Sequence, residues 1–357
     1  MARDSAPTTS PASASASETG SDQLPAEPIA PARASATPRG TPIQRLRVAV
    51  LDAVSRIACR LPEPPLLVLA DAVGLLWYRV APARAAQARQ NLERVVEELD
   101  RRELGSPRVR AAANDPKALE RLVRSAFRHD ARYYLEVLRV PGLRPAIFDR
   151  RVVNETPETV EAAFAGGPVI FVSAHLGPIE LPGVYLANRS GRTFVAPMEA
   201  VDDPALQGWF ERTRGSLGVR IVGLREARRA LLAELRSGGQ VGIVGDRDIA
   251  GGGIDTPLFG VPAPMPIGPA LLAIETGAPI YAVGVRRLPD GRVGGRLLAV
   301  PVATEGSRRE RIAATLRAEA AAFEELIALA PDQWSAIFFP IWPDLVDEPS
   351  LAASRAE

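Results

Sequence analysis

Hydrophobic positions recur at helical spacing through the first third of the folded sequence and gather into short β-branched runs after it. Between residues 44 and 60, Leu46, Val50, Val54, Ile57 and Ala58 share one stripe while Arg45, Arg47, Arg56 and Arg60 lie elsewhere. This is the pattern of an amphipathic helix with a basic polar side. Pro62, Pro64 and Pro65 end it, and an apolar run from Leu66 to Tyr78 predicts a second helix. At about 13 residues that helix spans roughly 20 Å, short of the ~30 Å hydrocarbon core of a bilayer, and Asp71 interrupts it. Two readings remain: a packed core helix, or half of a hairpin that dips into one leaflet with Trp77 and Tyr78 at the interface. A charged helix is expected over 82–97, a loop over 101–115, and a long helix from Lys117 to Val140 with Leu119, Leu122, Phe127, Tyr134, Leu135 and Leu138 as its apolar side.

From residue 155 helices alternate with strands. Strands are expected near 168–174, 193–197, 219–223, 241–245, 279–285 and 294–300. Helices are expected at 156–165 and near 180–189, 204–216, 225–237, 267–276 and 306–329. Val241-Gly242-Ile243-Val244 is too continuous for a half-exposed strand and suggests a sheet covered on both faces. The run after Pro289-Asp290-Gly291 reads as a hairpin partner, which makes the sheet mixed. The expected fold is α/β, a mixed central sheet flanked by helices, with catalytic groups at strand ends. Residues 1–43 are Ala, Ser, Thr and Pro with almost nothing large and apolar, so they are expected to be disordered and are not a signal peptide. The organisation expected is a tail (1–43), an N-terminal amphipathic and apolar helical region (44–150), an α/β domain (151–343) and a short C-terminal tail (344–357).

Charge narrows the picture little. The formal net charge of +1 gives no global push toward nucleic acid. Lys117 is the only lysine, so 42 of the 43 basic residues are arginine. A GC-rich genome accounts for that bias, although arginine also suits phosphate. Cys59 is the sole cysteine, which excludes an intrachain disulfide and a cysteine zinc cluster and fits a cytosolic face.

Two histidines, His129 and His175, are the whole supply. His129 falls in mid-helix and is expected to have no catalytic duty. His175 ends the apolar strand Val169 to Ser173, and Glu180 follows at H-x4-E spacing. Residues five apart on a helix lie roughly 140° apart, but a turn at Gly177-Pro178 can bring both side chains to one point. The bland reading is a loop histidine near a surface glutamate. Gly245-Asp246-Arg247-Asp248 also follows a strand, and the glycines at 251–253 match no nucleotide-binding pattern. Asp246 and Asp248 can bind a metal, but with no further ligand at suitable spacing, structural hydrogen bonding is the preferred reading. Arg212 and Arg214 close a helix before Gly215, where they complement its dipole or hold a substrate anion. The Pro- and Gly-rich run from Thr256 to Ala270 suits the wall of an apolar groove or a buried connection.

Taken in order, R-Q-N-L (Arg89 to Leu92), H-x4-E, the arginines before Gly215, G-D-R-D at 245–248, P-L-F-G…G-P-A-L-L-A-I-E-T-G-A-P-I at 257–280 and P-D-Q-W at 331–334 resemble the bacterial lipid A lauroyl/myristoyl acyltransferase family. The resemblance covers roughly residues 44–343. D-R-D and M-P-I-G-P-A look more like the phosphatidylinositol mannoside acyltransferases of that family. The lipid A enzymes more often carry N-W-E in the histidine box, where this chain has Gly177-Pro178-Ile179-Glu180; the glycerol-phosphate P-E-G motif is not apparent.

The resemblance implies a glycerol-3-phosphate acyltransferase-like fold and a membrane-associated O-acyltransferase. It would move an acyl chain from acyl-CoA or acyl carrier protein to a glycolipid hydroxyl on the cytoplasmic face of the plasma membrane, with no cofactor, no metal and no nucleic acid. His175 would be the general base and Glu180 would orient it through the other ring nitrogen. Arg214, with Arg212 second, would contact substrate phosphate or donor. Asp246 and Asp248 would hold that arginine or the acceptor hydroxyls, Arg247 would bind substrate, Ser173 would add a supporting hydrogen bond, and backbone amides after His175 or a nearby arginine would face the oxyanion. With a lipid acceptor, residues 44–80 become a membrane-docking hairpin. A lipid A acceptor, a hydrolase using the same dyad, and a non-catalytic lipid-binding protein of the same fold are the alternatives.

Overall fold

The computed structural model describes residues 40–144, 148, 150–199, 201–249 and 251–345. The expectations for the tails at 1–39 and 346–357 lie outside these residues.

Seven strands form one mixed sheet: β1 (Val152–Asn154), β2 (Val169–Ser173), β3 (Phe194–Met198), β4 (Val219–Gly223), β5 (Gln240–Val244), β8 (Ile280–Arg287) and β9 (Val293–Val300). Across the sheet they run β1-β9-β8-β2-β5-β3-β4. The β8–β9 pair is the expected hairpin and the sheet's antiparallel pair; the other pairings are parallel. Strand β2 lies at the centre between β8 and β5. Its side chains alternate between two cores, Ile170 and Val172 to one face, Val169 and Phe171 to the other. A strand buried on both faces loses the polar alternation of a surface strand, which is why this one reads as a continuous apolar run.

The run from Thr256 contains a structure the apolar pattern did not predict. It is a hairpin of its own, β6 (Ile254–Leu258) and β7 (Val261–Met265). Its turn places Phe259 at φ 48° and Gly260 at φ 76°, the left-handed pair that a two-residue hairpin loop requires. Leu258, Phe259, Ala263 and Met265 are all buried in the main core. Both readings for the run hold in part: these residues form a buried connection, while Pro266, Gly268 and Pro269 at its end border a cavity.

Four long helices precede the sheet among the described residues: α1 (Pro42–Arg60), α2 (Glu63–Val80), α3 (Pro82–Arg101) and α4 (Pro116–Arg139). Thr41 caps α1 through a reciprocal bond pair with Gln44, and Pro82 starts α3 at a 98° bend from α2. Helix α2 lies directly on α4 at Gly74, where any Cβ would meet the Phe127 carbonyl oxygen at 2.5 Å. Trp77 packs on Phe127 and Phe338, and the Tyr78 hydroxyl bonds to Glu120. These two aromatics, each half-buried, thus pack against the body of the protein.

The opposite holds for the aliphatic residues. Ile43, Leu46, Val50, Val54 and Ile57 on α1 and Val68, Leu69, Val73, Leu76 and Val80 on α2 are exposed. Four of the five stripe residues that pattern alone would bury point outward, while the fifth, Ala58, faces the body with Val48 and Ser55. No single described helix is long and apolar enough to cross a membrane. The remaining helices of the α/β region are α5 (Pro157–Ala163), α6 (Glu180–Ser190), α7 (Pro204–Gly215), α8 (Leu224–Arg236), α9 (Gly268–Thr276) and α10 (Arg308–Ala328).

Candidate active site

Strands β2 and β5 are parallel neighbours, with Ser173 paired to Val244. His175 and Asp246 each lie two residues past that pair, so the register alone sets them side by side at the carboxyl ends of the strands. That end is where open α/β sheets gather their ligands. The His175 Nδ1 lies 2.6 Å from Asp246 Oδ1. Asp246 Oδ2 accepts from the His175 backbone N–H at 2.9 Å and from Trp334 Nε1–H at 2.6 Å. Burial works to raise the pKa of the Asp246 carboxyl. The charge of His175 and these hydrogen bonds outweigh burial, and the pKa is held below the ordinary carboxylate value. An ionised carboxylate only accepts, so neutral His175 carries its proton on Nδ1 and leaves a lone pair on Nε2. The ring lines a cavity of about 400 Å³ with a largely apolar wall that includes Phe171, Leu186, Phe194 and Ile221, within the ~300–1,000 Å³ typical of small-molecule sites.

The turn that carries the histidine is strapped down by the P-D-Q-W segment. Ser335 N–H donates to the His175 carbonyl at 2.8 Å, and Gly177 N–H donates to the Gln333 carbonyl at 2.9 Å. The Gln333 side chain in turn bonds both the N–H and the C=O of Arg287 on β8. Gly177 holds φ 62°, and a Cβ there would meet the Val285 carbonyl oxygen at 2.3 Å. Only glycine satisfies both conditions.

Glu180 does not take the place expected for it beside His175. It begins α6 and forms a two-pronged ion pair with Arg214, Nε to Oε2 at 2.9 Å and Nη2 to Oε1 at 2.5 Å. Both side chains are largely buried and both line the cavity. Burial lowers the Arg214 pKa, and the bonds to Glu180 overcome this and raise it. The expected carboxylate partner of His175 is therefore corrected from Glu180 to Asp246. A turn brings H-x4-E into one cavity, but the chain enters α6 too soon for the carboxylate to reach back to Nδ1.

Three further expectations are revised by the geometry. Asp246 holds the imidazole and, among the described residues, bonds to no arginine, while Asp248 accepts from the Gly253 N–H at 2.7 Å. Arg212 is exposed on α7 and does not border the cavity, which Ser173, Arg214, Arg247 and Asp248 do. The amides after His175 are already committed: Leu176 to the Ala174 carbonyl, Gly177 to Gln333 and Ile179 to Gly177. This turn therefore offers none of these N–H groups to a bound ligand. His129 is half-buried beside Arg287, and burial together with that cation pushes it down to about 2, so it stays neutral.

A buried group behind the turn escaped the sequence reading. Glu319 on α10 is fully buried, and among the described residues neither carboxyl oxygen has a hydrogen-bond partner. Its Oε1 lies where a Cβ on Gly245 would come within 3.0 Å. Burial pushes it up to about 8, so at neutral pH it is protonated in the fold and ionised in the unfolded chain. Below pH ~4.5 both states hold the proton and stability is unaffected. Above it only the folded state does, and stability falls by about 1.4 kcal/mol per pH unit until pH ~8. Glu319→Gln is expected to match the wild-type melting temperature near pH 4.5 and to exceed it increasingly at pH 6–8. Equal melting temperatures at pH 8 would show that the carboxyl has a partner.

With this geometry in view, the comparison with known proteins is specific. The chain belongs to the family described as bacterial lipid A biosynthesis acyltransferase, whose profile matches residues 42–339. Among individual relatives it is similar to the phosphatidylinositol mannoside acyltransferase of Mycobacterium tuberculosis, 32% identical over 199 residues, 54% of this chain and 58% of the relative. It is 30% identical over 268 residues to the protein of that name in Mycolicibacterium smegmatis, 73% of this chain and 81% of the relative. The chain thus spans somewhat more than half the length of the M. tuberculosis relative it matches.

Proposed function

We propose that the protein transfers a fatty acyl group from a thioester, acyl-CoA or acyl carrier protein, to a hydroxyl of a phosphatidylinositol-mannoside-like glycolipid. The observation that carries this reading is the free Nε2 of His175, set against an apolar cavity while ionised Asp246 fixes the opposite nitrogen. An alcohol is a weak nucleophile at neutral pH. Nε2 takes its proton as the oxygen attacks the thioester carbonyl, and the imidazolium that forms is stabilised by Asp246. The same nitrogen returns the proton to the departing thiolate. Ser173 borders the cavity as a polar neighbour of the reaction; no covalent acyl-enzyme is needed.

The apolar wall suits the acyl chain, and the Glu180–Arg214 pair is a fixed polar feature within it. The exposed aliphatic faces of α1 and α2 support docking on the cytoplasmic face of the plasma membrane. Arg45, Arg56, Arg60 and Arg79 on these helices are exposed and suit anionic headgroups.

The test is direct. Purified protein is given labelled palmitoyl-CoA with and without a phosphatidylinositol mannoside. Labelled glycolipid appearing only when acceptor is present is the expected result. Release of free fatty acid at the same rate in both mixtures would make the protein a hydrolase, and no turnover in either would favour a lipid-binding role.

A further inference from the structure

Many arginines among the described residues meet a carboxylate, Arg89, Arg94, Arg132, Arg214, Arg286 and Arg287 among them. Arg84 and Arg247 do not, and they lie together. Among the described residues neither has a carboxylate within ion-pairing distance, although both are half-buried. Both lie over the ring of Phe339, Arg247 at 3.7 Å and Arg84 at 5.3 Å from its centroid. The two guanidinium carbons are therefore no farther apart than the sum of those distances. Trp77 gives Arg84 a second ring, at 5.8 Å.

Two cations gathered on one aromatic ring repel each other, and the arrangement carries that cost. Burial and the like charge of Arg84 both lower the Arg247 pKa, while Asp246 and Glu199 act on it only from a distance. Asp130, which also acts on Arg84, is pushed up to about 6 by burial but stays mostly ionised at pH 7, and it acts from beyond bonding distance. The pair thus has no bonded counter-charge among the described residues. Rings that hold guanidinium planes by cation–π contact leave the N–H forks free for another acceptor.

Position selects the acceptor. Arg247 borders the cavity that holds His175 and directly follows the carboxylate that orients it. Arg84 opens α3 at the bend from α2, just beyond exposed Leu76 and Val80. The pair therefore links the cavity of the reacting nitrogen to the start of α3, next to the helix whose exposed face meets the bilayer in the reading above. A headgroup phosphate held there would leave a sugar hydroxyl free to reach into the cavity toward His175.

The geometry points to Arg84 and Arg247, braced by Phe339, as a clamp for the phosphodiester of the lipid acceptor. Charge-assisted bonds from both forks, at about 2.7–2.9 Å, offset the repulsion that the empty clamp carries. The assignment of a lipid to this anion site rests on the acyltransferase reading; the anion site itself does not. It also moves the phosphate contact away from Arg214, whose fork is filled by Glu180.

Binding and turnover test it separately. Calorimetric titration with water-soluble dihexanoyl-phosphatidylinositol is expected to give binding about tenfold weaker in Arg84→Gln and in Arg247→Gln than in wild type, the loss expected of a charge-assisted bond. Arg84→Lys, which keeps the charge and the stem, should recover part of it, and unchanged melting temperatures would exclude misfolding. Equal binding by wild type and both glutamine variants would overturn the clamp, as would wild-type binding no tighter than to uncharged dihexanoylglycerol. In the transfer assay, Arg84→Gln should raise KM for a phosphatidylinositol mannoside about tenfold and leave KM for phosphate-free octyl mannoside and for palmitoyl-CoA unchanged. A rise confined to palmitoyl-CoA would place the donor's phosphates there and overturn the assignment. Tight, arginine-dependent lipid binding with no turnover in wild type would leave the clamp standing and sink the acyltransferase reading.

Discussion

Replacing His175 with alanine is expected to remove acyl transfer while the protein still folds. General-base catalysis is worth about 10²–10⁴ in rate, and no second imidazole is available: His129 lies in mid-helix, outside the cavity and pinned neutral. The fold should survive because the imidazole is about a third exposed and contributes little to the core. Asp246 is not orphaned by its loss. Its Oδ2 keeps the His175-position backbone N–H and the Trp334 indole N–H. With the imidazole gone, the buried carboxyl loses the largest influence holding its pKa down and can take up a proton. The measurements are the initial rate with labelled palmitoyl-CoA and glycolipid, and the thermal melting temperature. Transfer within tenfold of wild type in a folded His175→Ala protein would end the proposed mechanism.

How far the sequence foretold this site depends on which residue is considered. The strand ending at His175 was legible because a centrally buried parallel strand reads as an unbroken apolar run. The partner was not legible from H-x4-E, since proximity in sequence suggested Glu180 and the true contact spans 71 residues. A signal did exist. Val169–Ser173 and the run ending at Val244 both stop before a short turn that carries a titratable group. If the two strands are adjacent and in register, these turns must meet. Adjacency is a tertiary fact, and strand order cannot be read from periodicity. The same limit explains α1: its stripe at Leu46, Val50, Val54 and Ile57 is visible in the sequence, but whether an apolar stripe faces a core or a bilayer is decided by neighbours. Trp77 and Tyr78 show the converse, looking interfacial by composition and packing inward on Phe127 and Glu120. The P-D-Q-W segment was recognisable as a motif, yet its work, the bond from Trp334 to Asp246 and the strap across His175, only the fold reveals.

The assignment of the orienting carboxylate predicts an unequal pair of variants. In Asp246→Asn, the amide must choose which end faces which partner. Two fixed donors, the His175 backbone N–H and the Trp334 indole, converge on the Oδ2 position, so the amide oxygen belongs there. The NH₂ is then forced toward Nδ1, to which it can only donate. That reverses the tautomer, puts the proton on Nε2 and leaves the ring unable to accept from an alcohol. A loss of about 10³–10⁴ in kcat is expected, similar to the wrong-tautomer penalty known in serine hydrolase triads, with the acceptor KM little changed. Glu180→Gln should act differently. It keeps at most one of the two hydrogen bonds to Arg214, because the amide NH₂ can only donate, and it strips the charge that neutralises a largely buried cation beside the cavity, so the principal cost falls on stability, up to about 3–5 kcal/mol for a broken buried pair. Its kcat is expected within about tenfold of wild type once the protein is folded, because Nδ1 keeps its carboxylate. Steady-state kinetics of both variants, each paired with a melting curve, decide the matter. A Glu180→Gln protein of normal stability with kcat as low as that of Asp246→Asn would return the orienting role to Glu180. The ordering anticipated here gives His175 its partner from the adjacent strand β5, and leaves Glu180 the task of holding Arg214 still against the cavity wall.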